Sequence, residues 1–214
     1  MPTARGGYFV DGERVPSVTT ILGKFKDPGG LMYWAWAEGK AGRDFRETRD
    51  KAADAGTIAH AMVECDIRGK AWAPDGQPED VLAKAKRAFG SYLEWKAQTQ
   101  LKAAETELPL VSKKFRFGGT LDALLVRGKL AMGDWKTSNA VYAEYLMQIA
   151  AYAALWEENF PERPIEGGFH LLRFSKEDCD FTHHFFAELD DALGAFLCLR
   201  NAYELVEKLK RRVK

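Results

Sequence analysis

Gly118-Gly119-Thr120-Leu121-Asp122-Ala123-Leu124-Leu125-Val126-Arg127-Gly128-Lys129-Leu130-Ala131-Met132-Gly133-Asp134-Trp135-Lys136 holds two largely apolar runs on either side of a glycine. With Arg127-Gly128-Lys129 as the turn, the two runs read as adjacent antiparallel strands. Alternate residues of a strand share a face. Leu130, Met132, Asp134 and Lys136 therefore point one way, and Ala131, Gly133 and Trp135 point the other. One face starts apolar and ends in an acid and a base. Positions 122 and 134 are equidistant from Gly128, so pairing about that turn brings Asp122 near Asp134. Two carboxylates on neighbouring strands repel unless a cation holds them, which points to a divalent metal site. Plainer readings stand beside it. Asp134 and Lys136 could form a solvent-facing ion pair at a strand end, and Asp122 could be a turn carboxylate licensed by Gly118-Gly119.

Outward from this hairpin, strand periodicity covers 106–112, 114–127 and 129–136, then 165–174 and 179–186 around a turn at 175–178. Helical patterning covers 141–159, stopped by Pro161 and Pro164, and 189–212 at the end. Before the strands, Tyr8 to Pro16 reads as a hairpin with an Asp11-Gly12 turn. Ser17 is placed to cap a helix over 18–25. Helices follow over 31–41, over 44–69 with a break expected near Gly56, and over 79–100 with Pro78 at its first helical position. The expected fold is α/β: a central mixed β-sheet of about five strands flanked by helices. One domain is expected over 1–214, with a hairpin and mainly helical part at 1–105 and a sheet core with flanking helices at 106–214.

The chain has 214 residues, 46% hydrophobic and 29% charged, with 13 Phe, 7 Tyr and 6 Trp. That is ample apolar area for a core and excludes disorder as the dominant state. The 31 basic residues balance 31 acidic ones, so polyanion binding needs a local patch. Cys65, Cys179 and Cys198 cannot supply four thiolates to an iron–sulfur cluster, nor a disulfide framework. A reducing cytoplasmic setting is expected. The opening Met1 to Arg14 is polar, and no apolar run approaches the ~20 residues of a membrane span.

Three further groups carry candidate chemistry. His60 and Glu64 lie four apart in Gly56-Thr57-Ile58-Ala59-His60-Ala61-Met62-Val63-Glu64, so they share a helix face. They could add an imidazole and a carboxylate to the Asp122/Asp134 site. A structural histidine and a solvated glutamate are the plain alternatives. Gln148 and Tyr152 also lie four apart, with Tyr145 on the same side. They read either as hydrogen-bond donors aimed at phosphate oxygens or as the polar flank of an amphipathic helix. Lys84, Lys86, Arg87 and Lys96 decorate one helix with Phe89, Tyr92 and Trp95. They fit a strand-binding groove or an ordinary solvated face. Met32, Tyr33, Trp34 and Trp36 read more readily as core than as a base-stacking platform. Lys208, Lys210, Arg211, Arg212 and Lys214 could bind phosphate or complement a helix dipole.

An acid on one strand and acid-x-Lys on the next is the pattern of the PD-(D/E)XK nuclease superfamily. With Gly-x-x-x-His-x-x-x-Glu upstream and Gln-x-x-x-Tyr downstream, the chain resembles its RecB-type branch. That branch includes CRISPR adaptation nucleases, mitochondrial genome maintenance exonucleases and phage-type exonucleases. The entry segment Pro16-Ser17-Val18-Thr19-Thr20-Ile21-Leu22 is similar to that of the last two groups. The likeness spans about Pro16 to Tyr152, and its specificity comes from four motifs in order.

The resemblance implies a restriction-endonuclease-like nuclease core and a metal-dependent DNA exonuclease acting on single strands or strand ends. His60, Asp122 and Asp134 would be metal ligands, joined by the main-chain carbonyl of Trp135, for one or two Mg2+ or Mn2+ ions. Lys136 would activate water, and Glu64 would assist the water shell. Gln148 and Tyr152, with Thr137 and Tyr145, would contact the nucleic acid. Leu121 rather than Pro precedes Asp122, a departure common in this branch, and the cluster-binding cysteines of some relatives are absent, so no iron–sulfur cluster is expected. The rival expectation is a nuclease-derived nucleic-acid-binding module without turnover. The intact Asp122, Asp134, Lys136 and His60 argue for the enzyme.

Overall fold

The computed structural model describes residues 7–213. The first six residues of the polar opening, and Lys214 of the basic tail, lie outside the described residues. The chain opens with a small hairpin, β1 (Tyr8–Val10) and β2 (Glu13–Val15), turning at Asp11-Gly12 with φ of 51° and 79°. Four helices follow: α1 (Val18–Lys24), α2 (Gly29–Lys40), α3 (Phe45–Ile67) and α4 (Glu79–Gln98). Then come β3 (Lys102–Ser112), β4 (Phe117–Arg127), β5 (Lys129–Lys136), α5 (Ala143–Asn159), β6 (Phe169–Phe174), β7 (Phe181–Phe186) and α6 (Asp190–Arg212).

β3 to β7 form one five-stranded sheet in sequence order. All neighbours are antiparallel except β5 and β6, which run parallel. A parallel pair needs a crossover, and α5 supplies it. The sheet is therefore mixed and flanked by helices, as the hydrophobic periodicity predicts. Each face carries its own core. Met132, Phe117, Ile149, Trp156 and Phe196 pack between the sheet and α1, α5 and α6. Trp135, Leu172, Phe174, Trp95, Tyr92 and Met62 pack between it and α3 and α4. The period-2 alternation along β5 divides its residues between these two cores.

Local expectations differ from the structure at four places. α3 passes through Gly56 without a break. Gly56 is buried there, and a Cβ at that position would lie 2.8 Å from Thr137 Oγ1. The glycine allows a close helix–strand approach rather than ending the helix. Pro78 is the N-cap of α4, with ψ of 142°, not its first helical residue. Phe89, Tyr92 and Trp95 do not form a strand-binding platform: Tyr92 and Trp95 are buried, with Trp95 edge-on to Trp135 at 5.5 Å. Three of the four basic residues of α4 are tied to the protein, Lys96 to Asp66, Lys84 to Glu177, and Arg87 to the Lys176 carbonyl. Conversely, Met32, Tyr33 and Trp36 on α2 are exposed rather than core. That helix is latched by the buried Glu38, which accepts from Arg43 at 2.7 Å and from Thr48 at 3.1 Å, so its aromatic face is left outside.

No described helix is long and apolar enough to cross a membrane.

Candidate active site

The β4–β5 ladder runs from Arg127↔Lys129 to Ala123↔Gly133 and ends there. One residue further on, the Asp122 carboxylate accepts the backbone N–H of Trp135 at 3.1 Å. A side chain has taken the place of a ladder carbonyl, and it brings the Asp122 carboxylate close to that of Asp134. On the other edge of β4, Thr106↔Ala123 and Leu108↔Leu121 are partners, which sets Glu107 opposite Asp122. Glu107 has φ of 52°, in the left-handed region that non-glycine residues rarely adopt. α3 brings His60 to the same place, one turn beyond the close Gly56–Thr137 approach. One ligand atom each from His60, Glu107 and Asp122 lies within 4.8 Å of the others.

Asp134 sits beneath this triad with no exposed surface. Burial, and then the charge of Asp122, push its carboxyl up to about 7, against the opposing pull of Lys136. Lys136 Nζ approaches Asp134 Oδ2 to 2.6 Å, yet neither Asp134 oxygen has a hydrogen bond of good geometry. Burial alone would push the Lys136 ammonium down. The charges of Asp134 and Asp122 outweigh it, so the group is held above its ordinary value and stays cationic. Glu107 is pushed up to about 7 by burial, then by the charges of Asp122 and Glu64. Burial holds the His60 imidazole below its usual value, hence neutral. A neutral imidazole is the form that binds metal. Part-buried carboxylates that repel one another, an under-bonded, fully buried Asp134 and a neutral histidine make a donor set that fits a divalent cation.

Lys136 is fixed from a second direction. Its Nζ donates to Gln148 Oε1 at 3.1 Å and lies 4.9 Å from the centre of the Tyr145 ring. Gln148 Nε2 in turn donates to the Tyr152 hydroxyl at 2.8 Å. Tyr152 is buried against β4, where a Cβ at Gly119 would lie 2.7 Å from its ring. Gly118 makes room in the same way for Tyr8, whose hydroxyl bonds Thr120 Oγ1 at 2.8 Å. The two glycines thus admit aromatic rings and do not mark a turn.

These groups open into a cleft of about 950 Å³. His60, Glu64, Asp122, Trp135, Lys136, Thr137, Tyr145, Gln148 and Tyr152 line it, as does Glu107, whereas Asp134 is fully buried and reaches it only through Lys136. Glu64 is engaged by Arg68 at 2.7 Å and stands outside the triad. Lys26 from the connection after α1, Arg49 from α3 and Lys176 from the turn after β6 bring cations to the cleft, Lys26 paired with Glu144 at 2.8 Å and Arg49 with Asp50 at 2.7 Å. The sequence reading missed Glu107. Its register with Asp122 depends on the 113–116 turn, and Lys113-Lys114-Phe115-Arg116 has no glycine or proline to signal one, so 114–116 read as strand and only Lys113 separates the two runs.

No protein-family model matches the chain, and no curated protein matches it. Among solved structures, the crystal structure of a protein from Eubacterium rectale, described as a "putative exonuclease", is similar. The likeness covers 69% of this chain and 68% of the other, at 12% identity and a TM-score of 0.45.

Proposed function

We infer that the protein is a divalent-metal-dependent phosphodiesterase of DNA, an exonuclease of single strands or strand ends serving repair, recombination or replication. The observation that carries this reading is the convergence of His60, Glu107 and Asp122 within 4.8 Å, in a cleft that also presents the Lys136 ammonium. His60, Glu107 and Asp122 would hold Mg2+ or Mn2+, with Asp134 below and the Trp135 carbonyl beside them. A cation held there supplies Lewis acidity to the scissile phosphate and acidifies a water.

The chain's own groups do the rest. Lys136 is fixed by Asp134 and Gln148, which aims its ammonium into the cleft, where it orients the attacking water and stabilises the negative charge that develops on it. Gln148 and Tyr145 hold Lys136 in place, and Tyr152 holds Gln148. Lys26, Arg49 and Lys176 offset phosphate charge on the strand that enters. Thr137 stands at the end of β5, within reach of the same phosphates. The resemblance to RecB-type nucleases implies a product with a 5′-phosphate.

The test is digestion of an oligonucleotide labelled at each end in turn, with Mn2+ or Mg2+, and with Asp122→Asn as the control. A metal-dependent ladder growing from one labelled end, and lost in the variant, is the expected result. Tight binding of single-stranded, blunt and overhang DNA with no cleavage of any of them would establish the binding module in its place.

A further inference from the structure

A second cleft, of about 410 Å³, opens where β5 begins, whereas the candidate active site lies where β5 ends. The length of the strand, roughly 20 Å, separates the two. Arg127 closes β4 and Lys129 opens β5 at the wall of this cleft. The sheet supplies two imidazoles. His170 partners Gly133 across the parallel pair, and His183 partners Leu172 across the antiparallel one. Both rings therefore lie on the face that carries Trp135 and Phe174. His170 Nδ1 and His183 Nε2 are 2.8 Å apart, and the His183 ring stands edge-on to Trp95 at 6.3 Å.

Three observations bear on what this cleft takes. Arg127 and Lys129 are its two charged residues besides the histidines, and no carboxylate lines it. The Thr99 hydroxyl oxygen, from the segment after α4, is buried and has no hydrogen-bond partner among the described residues. A buried hydroxyl without a partner is costly, and a ligand oxygen would relieve it. Gln98 and Gln100 add amide groups at the same wall. Cations, imidazoles and an unsatisfied hydroxyl without an acid make a site for negative charge and not for a metal ion.

We propose that this cleft binds a phosphoryl anion, whose charge Arg127 and Lys129 offset and whose oxygens accept hydrogen bonds from Thr99 and from the one ring N–H that the histidine pair does not use internally. The shared chemistry is the phosphate group, whether free or at the end of a nucleotide. The site stands independently of the nuclease reading, since no residue in it belongs to the candidate active site.

The test follows imidazole resonances by NMR in the full chain, in EDTA, during titration with inorganic phosphate and separately with a nucleoside monophosphate. The chain has only four histidines, and His60 reports on the other cleft. His170→Gln and His183→Gln assign the resonances. Saturable shifts of His170 and His183 at about 1 mM ligand or below are expected. Arg127→Gln with Lys129→Gln should weaken them at least ~10-fold, the effect of losing charged hydrogen bonds. Tighter binding of the nucleotide identifies a nucleotide site, and equal binding identifies a site for phosphate alone. No saturable shift of the pair with either ligand overturns the proposal. So does a response confined to His60. A saturable response of the pair to Zn2+ but not to phosphate, unchanged in the Arg127/Lys129 variant, overturns it in favour of a metal-binding histidine pair.

Discussion

The Asp122 carboxylate accepts the Trp135 N–H at 3.1 Å, one step past the last paired residues of β4 and β5. The contact does two things at once. It satisfies a backbone donor that would be orphaned where the ladder ends, and it leaves the second carboxylate oxygen free to face His60 and Glu107. Asp122→Asn keeps an acceptor for Trp135 and removes a negative charge beside Glu107 and Asp134. Its metal-free form is therefore expected to melt at or above the wild-type temperature. Saturating Mn2+ should raise the wild-type melting temperature, by the equivalent of about 2.7 kcal/mol at a hundredfold excess over Kd. It should raise that of the variant far less. Equal Mn2+ stabilisation in both proteins would remove Asp122 from the metal site.

Glu107 is the ligand that only the structure brings forward. Its carboxyl is held up near 7 by burial and by Asp122, so above that pH it is charged at a cost. Glu107→Gln keeps the side-chain shape and deletes the charge. In EDTA at pH 8 it should be more stable than wild type by about 1 kcal/mol, a figure already reduced for solvent screening of a part-exposed group. Mn2+ affinity measured by calorimetry should fall at least ~10-fold. Unchanged affinity would show that His60 and Asp122 work without Glu107.

Gly119 sets how closely α5 approaches β4. A Cβ there would meet the Tyr152 ring at 2.7 Å and Leu155 Cδ1 at 3.1 Å. Neither can swing into open space, because both are buried. Gly119→Ala should cost about 1–3 kcal/mol of stability, the usual overpacking range, read by chemical denaturation. It should also lower the rate of cleavage more than it weakens DNA binding, since the displaced Tyr152 holds Gln148, and Gln148 holds Lys136. A cost below about 0.5 kcal/mol would mean that α5 shifts freely.

The sheet was legible because its signals are local. A glycine turn, period-2 alternation and a change to helical period each report within a few residues. The hairpin arithmetic about Gly128 also put Asp122 beside Asp134, and the described ladder has that register as far as Ala123↔Gly133. Three things were illegible for physical reasons. The 113–116 turn has Arg116 at φ 56°, a conformation stabilised by tertiary contacts that include Glu158, which accepts from the backbone N–H groups of Lys113 and Lys114. Without that turn, Glu107 has no register. Exposed aromatics on α2 have the composition of a core helix, and only the Glu38–Arg43 latch shows which way the helix faces. The burial of Tyr152 depends on the absent side chain of Gly119, a residue far away in sequence. Spacing alone shows that Gln148 and Tyr152 share a face, but not that one stands behind the other.

His170 and His183 should contribute to the protein's sensitivity to acid. Burial, then the neighbouring His183, lower the His170 imidazole to about 4. The folded state therefore prefers the neutral ring, while the unfolded chain takes a proton near pH 6.5. Stability from this group is fully present above pH 6.5 and is lost as pH falls from there towards 4. Two histidines sharing one hydrogen bond also cannot both be protonated and keep it. His170→Gln should lose less stability than wild type between pH 7 and pH 5, by about 1 kcal/mol once the part-exposed ring is discounted for screening. Urea denaturation at the two pH values measures it, and parallel losses in both proteins would exclude the pair as the acid-sensitive group.

Lys136 separates an enzyme from a binding module. Its ammonium lies 2.6 Å from Asp134 Oδ2 and 3.1 Å from Gln148 Oε1, with the side chain 13% exposed. So placed, it can offset the carboxylates, hold a phosphate or act on the water. Only the last is specific to turnover. Lys136→Met keeps most of the apolar stem and deletes the charge. If the lysine acts on the water, cleavage at saturating DNA should fall by about 10²–10⁴-fold. DNA affinity should change little, because one phosphate contact is a small part of the electrostatic sum that Lys26, Arg49 and Lys176 also supply. Mn2+ affinity should hold or rise, because a neighbouring cation is gone. Single-turnover rates, filter binding and calorimetry on one preparation give the three numbers. Collapse of DNA binding with a near wild-type rate at saturation would make Lys136 a phosphate clamp, and the orientation of the water would then need another group in the cleft.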